Sequence, residues 1–221
     1  MSQKHLSVPA DEGGEMVHFL PIERLRTTYV QFRDGQSSDA GSELRPLPVR
    51  VVARDDGSYE VVDGFKRLAA WGAEGRRRIP AVVEAPGSRA EHKRLLLLAN
   101  APRRTLSPLD EACVVHSLFT EDGLSANAIA RLLGRRKAWV LRRQALIEHL
   151  SADSQQKVAR GVIGPALAHH LTGLPPADQD ALLAAAERHR LTGGERPALI
   201  QAWRVAETAA ERRALLADPV G

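Results

Sequence analysis

The chain has 221 residues, of which 43% are hydrophobic and 26% charged, enough to bury a core and too apolar for wholesale disorder. Aromatic residues are only 4%, while Ala, Leu and Arg are plentiful, which favours helices over a β-sandwich. Lys and Arg total 31 against 27 Asp and Glu, and the single cysteine, Cys113, excludes a disulfide scaffold or a cysteine-rich zinc site. No apolar run is long enough to span a bilayer, and Met1–Gly14 lacks the apolar core of a secretory signal. A cytoplasmic protein with no membrane partner is expected.

In chain order, residues 1–15 are polar with Gly13-Gly14 and predict a loose arm. Met16–Leu25 predicts a strand and a turn near Pro21, and Gly35–Ser42 a loop. Pro48–Ala53 and Tyr59–Val62, separated by Asp55-Asp56-Gly57-Ser58, predict a hairpin. Phe65–Glu74 predicts a helix ended by Gly75, and Ile79–Glu84 another strand. From Arg89 onward the apolar period becomes helical, predicting helices over 89–100, 107–121, 125–133, 136–149, 151–160, 164–172, 176–190 and 195–217. The fold class expected is α+β: a small α/β domain over 16–88, a helical domain over 89–175 and C-terminal helices over 176–221. The last stretch, with Leu199, Ile200, Trp203, Ala206, Leu215 and Leu216, reads as one amphipathic helix that packs on the helical domain or pairs with a second chain.

The stretch Leu124–Gly134 carries the clearest functional signal. Ser125 suits a helix cap, Ile129, Leu132 and Leu133 form an apolar stripe, Ala130 allows close helix approach, and Gly134 permits a tight turn. The next helix opens on Arg135, Arg136 and Lys137 and continues with Arg142 and Arg143, while Val140, Leu141, Ala145 and Leu146 are expected in the core. Residues 123–147 also include Arg131 and contain no Asp or Glu, a pattern that suits a solvated basic face or a polyanion. The helical pair selects the polyanion, because a helix-turn-helix lays the start of its second helix in the DNA major groove. Residues 106–147 are therefore expected to bind double-stranded DNA through Ser125, Arg135, Arg136, Lys137, Trp139, Arg142 and Arg143. Arg can grip a guanine edge, and Lys more often neutralises phosphate. Trp139 either touches the DNA backbone or packs internally.

The order of motifs resembles the ParB partition-protein family over about residues 16–175. Tyr59-Glu60-Val61-Val62-Asp63-Gly64-Phe65-Lys66-Arg67-Leu68-Ala69-Ala70 is similar to the family's strand, its Gly-Glu-Arg-Arg box and the helix that follows. Gly75 and Ile79-Pro80-Ala81-Val82 come next, then Asn100, Arg103, Leu106, Pro108, Glu111 and Ala112, the helix-turn-helix, and Leu171-Thr172-Gly173-Leu174-Pro175. The N-terminal part is also similar to sulfiredoxin, whose chemistry needs a cysteine where Phe65 stands.

The resemblance implies a site for CTP with Mg2+ built from Gly64, Lys66, Arg67, Asn100 and Arg103. A glycine turn ahead of a helix lets backbone N–H groups approach phosphates. It also implies a homodimer that closes as a clamp, a partner ATPase, and an address on the nucleoid or a plasmid. The chain departs from the family at Phe65, Lys66, Ala99 and Pro102, where the family has Glu, Arg, Glu and Gln; an alanine cannot ligate magnesium. Gly164-Pro165-Ala166-Leu167 likewise lacks the family's Ser and His, and the family's usual separate C-terminal dimerisation domain is not expected within these residues. No residue is assigned a catalytic role or a protein-metal bond, and His169-His170, being adjacent, face different sides of a helix. Two functional readings follow: a sequence-specific DNA-binding protein of partition, plasmid maintenance or transcription that responds to CTP, and an active CTP-hydrolysing DNA clamp.

Overall fold

The computed structural model describes residues 7–9, 15–32, 47–100 and 106–219. The predicted loop Gly35–Ser42, Pro102 and Arg103 lie outside them, as does most of the predicted arm. Two compact units result, one comprising Met1–Leu106 with Thr120–Leu124 and the other Ser107–Phe119 with Ser125–Gly221.

The first unit is built on a six-stranded mixed sheet in the order β1-β2-β6-β4-β5-β3. Its strands are β1 (Ser7–Pro9), β2 (Met16–Pro21), β3 (Leu25–Arg26), β4 (Val49–Ala53), β5 (Tyr59–Asp63) and β6 (Arg78–Glu84). β1 falls in the segment expected to be a loose arm. Its backbone pairs antiparallel with β2, satisfying an edge that would otherwise be exposed. The predicted hairpin is β4–β5, antiparallel, with Asp56 accepting from the Ser58 backbone N–H at 2.9 Å in the connecting turn. β-Branched side chains fill the sheet's centre, and Val49, Val51, Val61, Val62 and Ile79 have no solvent exposure.

Helix α1 (Phe65–Ala73) leaves β5 through Gly64 and buries Phe65, Leu68 and Trp71. Helix α2 (Arg89–Asn100), grouped with the helical domain in the sequence reading, belongs to the first unit and is tied to β5 by Asn100. It also buries Lys93 completely, with Nζ 2.5 Å from Asp122 and 3.0 Å from Glu121. Phe32 lies beside the same ammonium at 5.8 Å. Removing one member of such a pair strands a charge in low dielectric. Lys93→Ala should therefore destabilise this unit by about 3 kcal/mol, seen as a lower urea midpoint for the unit's transition.

The second unit is all helical: α3 (Pro108–Thr120), α4 (Ala126–Leu133), α5 (Lys137–Glu148), α6 (Ala152–Ala159), α7 (Pro165–Leu171), α8 (Pro176–Arg188), α9 (Glu195–Val205) and α10 (Ala209–Ala217). Its core includes Leu146, Leu171, Leu182, Leu199, Ile200 and Trp203. The predicted single helix over 195–217 is two helices, broken at Ala206–Thr208. The cause is a capping box: Thr208 Oγ1 accepts from the Glu211 N–H at 3.2 Å, and Glu211 accepts in return from the Thr208 N–H at 3.1 Å. Both helices pack on their own unit, with Leu199, Ile200 and Trp203 buried and Leu215 and Leu216 partly so.

Candidate nucleic-acid interface

Helices α4 and α5 form the expected helix-turn-helix. Ser125 caps α4, its Oγ accepting the Ala128 N–H at 3.3 Å, while Ile129, Ala130 and Leu133 are buried and Leu132 is half-buried. At the other end Gly134 adopts φ 62°, ψ 34°, a left-handed conformation that costs glycine nothing. The N–H of Gly134 then reaches Arg131 O at 3.3 Å and that of Arg135 reaches Ala130 O at 2.9 Å. This pair of bonds is a Schellman closure, and it fixes where α5 begins. Ser125→Ala should cost the unit about 1 kcal/mol of stability, measurable by urea denaturation.

Between α4 and α5 lies an open concavity of about 650 Å³ lined by Asn127, Ala130, Arg131, Gly134, Arg135 and Lys137, three of them cations and none an acid. Asn127 and Arg131 were not among the residues assigned to DNA from sequence. They sit three and four residues ahead of Ala130 and Arg135 respectively, and the turn at Gly134 is what brings the four polar side chains round one hollow. Arg136 precedes α5 as its N-cap residue, and Arg135, Arg136 and Lys137 are all exposed.

The remaining assigned residues divide. Arg142 is exposed on α5, and partial burial, followed by the charges of Arg142, His170 and Arg204, holds the His169 imidazole below its ordinary range. Arg143, by contrast, turns inward: its Nε and Nη2 donate to Glu111 Oε2 of α3 at 2.8 and 2.7 Å, and its side chain is only 14% exposed. It is a neutralised brace rather than an open cation. Trp139 is half-buried, with the guanidinium carbons of Arg135 and Arg143 at 5.3 and 5.0 Å from its ring centre. Leu141, expected in the core, is 48% exposed, because Val140 and Leu146 already occupy the buried side of α5 and Leu141 is turned about 100° from Val140.

In the first unit, Gly64 adopts φ 95°, ψ 25°, and a Cβ there would lie 2.8 Å from Val49 Cγ1, so both conformation and space demand glycine. Lys66 is exposed, whereas Arg67 and Asn100 serve the fold. The Arg67 guanidinium donates to Leu47 O and Pro48 O, each at 2.8 Å, and to the Asp63 carboxylate at 2.9 Å. Asn100 Nδ2 donates to Leu96 O at 2.7 Å and Val62 O at 3.4 Å. A cleft of about 410 Å³ beside them is lined by Arg50, Val62, Asp63, Glu84, Leu95, Leu98 and Ala99. Its Arg50 is itself paired with Glu84 at 2.5 Å and Glu15 at 2.7 Å.

No family model matches the chain. Over 171 residues it is 29% identical to stage 0 sporulation protein J of Bacillus subtilis, a match covering 74% of this chain and 60% of that protein. It is 28% identical over 200 residues to a probable chromosome-partitioning protein ParB of Pseudomonas putida, covering 86% and 67%. The crystal structure of a C-terminally truncated chromosome-partitioning protein ParB from Caulobacter crescentus, complexed to the centromeric parS site, aligns at 21% identity and a TM-score of 0.49, covering 83% of this chain and 98% of that one. Over most of its length the chain is similar to ParB-family partition proteins. It spans about 60% of the length of the sporulation relative.

Of the cations in the box that the resemblance assigns to CTP, Lys66 is exposed and Arg67 is paired with Asp63, while Arg103 lies outside the described residues. Arg67 is held by Asp63 and Arg50 by Glu15 and Glu84, so either guanidinium reaches a phosphate only if its pair opens. Phe65, in place of the family's acid, is a buried core side chain, and Ala99 offers no oxygen to a metal.

Proposed function

We propose that this protein binds double-stranded DNA sequence-specifically through α4 and α5, with α5 entering the major groove. The observation that carries the reading is the acid-free concavity of Asn127, Arg131, Arg135 and Lys137 at the start of α5. Its cations gain by releasing the counterions condensed on DNA, and exposed Arg136 and Arg142 extend the same surface. Similarity to ParB-family proteins supports the same assignment, and partition, plasmid maintenance or gene regulation is the setting it suggests.

The test is fluorescence anisotropy of a labelled duplex across a salt series. Binding whose affinity falls steeply and log-linearly with salt is expected. Binding absent at low salt would remove the assignment. Calorimetry with CTP and Mg2+ on the same protein checks whether the nucleotide binds, and anisotropy with and without CTP checks whether DNA binding responds to it.

A further inference from the structure

The recognition segment contains an arrangement that cation counting does not explain. Arg135 lies in the turn just ahead of α5 and Trp139 in the helix's first turn, and the guanidinium of Arg135 lies over the indole ring. Arg143, four residues further on, lies over the same ring. Two cations on one ring repel each other, but the Arg143 charge is cancelled by Glu111 through two hydrogen bonds to one carboxylate oxygen. Arg143 therefore contributes a flat, anchored surface to the stack without adding net charge beside Arg135. The backbone of Arg135 is fixed as well, through its bond to Ala130 O.

We propose that Trp139 is a positioning residue for DNA reading: braced by the Arg143–Glu111 pair of α3 and α5, its ring holds the Arg135 guanidinium in a preset orientation at the mouth of the α4–α5 concavity. This rests on the DNA-binding reading above and specifies how sequence discrimination arises within it. A free arginine neutralises phosphate equally well in many conformations, whereas a guanine edge is gripped only by a guanidinium fork aimed in one plane. Fixing the fork before contact removes the ordering cost from the specific complex while leaving the phosphate contribution unchanged. Among the described residues Arg135 is the only cation of the Arg135-Arg136-Lys137 run stacked on a ring, so it is the one equipped to read rather than merely to hold.

The experiment selects preferred duplexes for the full chain from a library with a randomised central segment, then measures discrimination between the enriched duplex and a scrambled duplex of the same composition. Trp139→Leu should reduce that ratio about three- to tenfold, with an unchanged slope of log affinity against log salt, because no cation is lost. Trp139→Phe, which keeps an aromatic face, should lie between Trp and Leu. Arg135→Ala should lose the same discrimination and also flatten the slope by roughly one. In the double variant Trp139→Leu with Arg135→Ala, discrimination should be no lower than in Arg135→Ala alone. Full discrimination in Trp139→Leu, or strictly additive losses in the double variant, would overturn the proposal and leave DNA binding standing. Should Trp139→Leu melt, the cycle of Trp139→Phe with Arg135→Ala decides the question in the same way. A wild-type chain that enriches no sequence and shows no salt-dependent binding fails before any variant is made, and takes both readings down together.

Discussion

Changing Arg135, Arg136 and Lys137 together to Ala is expected to weaken duplex DNA binding on the order of 100-fold near physiological salt, and to flatten the salt slope by roughly two to three. Each of these residues stands at the start of α5, exposed, and two of them line the acid-free concavity. Losing a phosphate contact removes about one counterion from those released on binding, so slope and affinity must fall together. Folding should be nearly untouched, since none of the three is buried. The same triple change at an unrelated basic surface would lower affinity without changing the enriched sequence. Here it should abolish enrichment as well. Unchanged anisotropy curves across the salt series would place the DNA surface elsewhere on the chain.

Arg67 behaves differently from what its place in the family box suggests. Arg67→Ala should destabilise the first unit by about 3–5 kcal/mol, because it removes the guanidinium from the buried Asp63 carboxylate and from Leu47 O and Pro48 O. Arg67→Lys keeps the charge but offers one point where the guanidinium offers a fork, so an intermediate loss is expected. Urea unfolding monitored by the first unit's Trp71 checks the order wild type, Lys, Ala. Calorimetry separates this role from nucleotide capture. Saturable CTP heat in the wild type that vanishes in the folded Arg67→Lys variant would show that the guanidinium can leave Asp63 for a phosphate.

Much of the architecture was readable because local chemistry and fold agree. The hairpin follows from a β-branched run either side of Asp55–Ser58, and α4 from a serine cap, an apolar stripe and a terminal glycine. The break between α9 and α10 was also written in the chain, as Thr208 and Glu211 at capping-box spacing, but the continuous apolar pattern around it concealed the signal. The strand at Ser7–Pro9 was not readable, since its reason for existing is the open edge of β2.

The site residues show the same division. The sequence by itself determined that cations cluster at the start of α5, because the helix-turn-helix pattern and the charge run occupy the same residues. Which of those cations are open to a ligand was decided by tertiary structure alone. Glu111 lies 32 positions before Arg143 and neutralises it, and Asp122 lies 29 after Lys93 and makes its complete burial tolerable. Charge pairing depends on distance in space, and a one-dimensional pattern lists the charges without their partners. The nucleotide box makes the point most sharply: Gly64, Arg67 and Asn100 stand in family order, yet the fold spends Arg67 on Asp63 and two carbonyls, and the Asn100 amide on Leu96 and Val62.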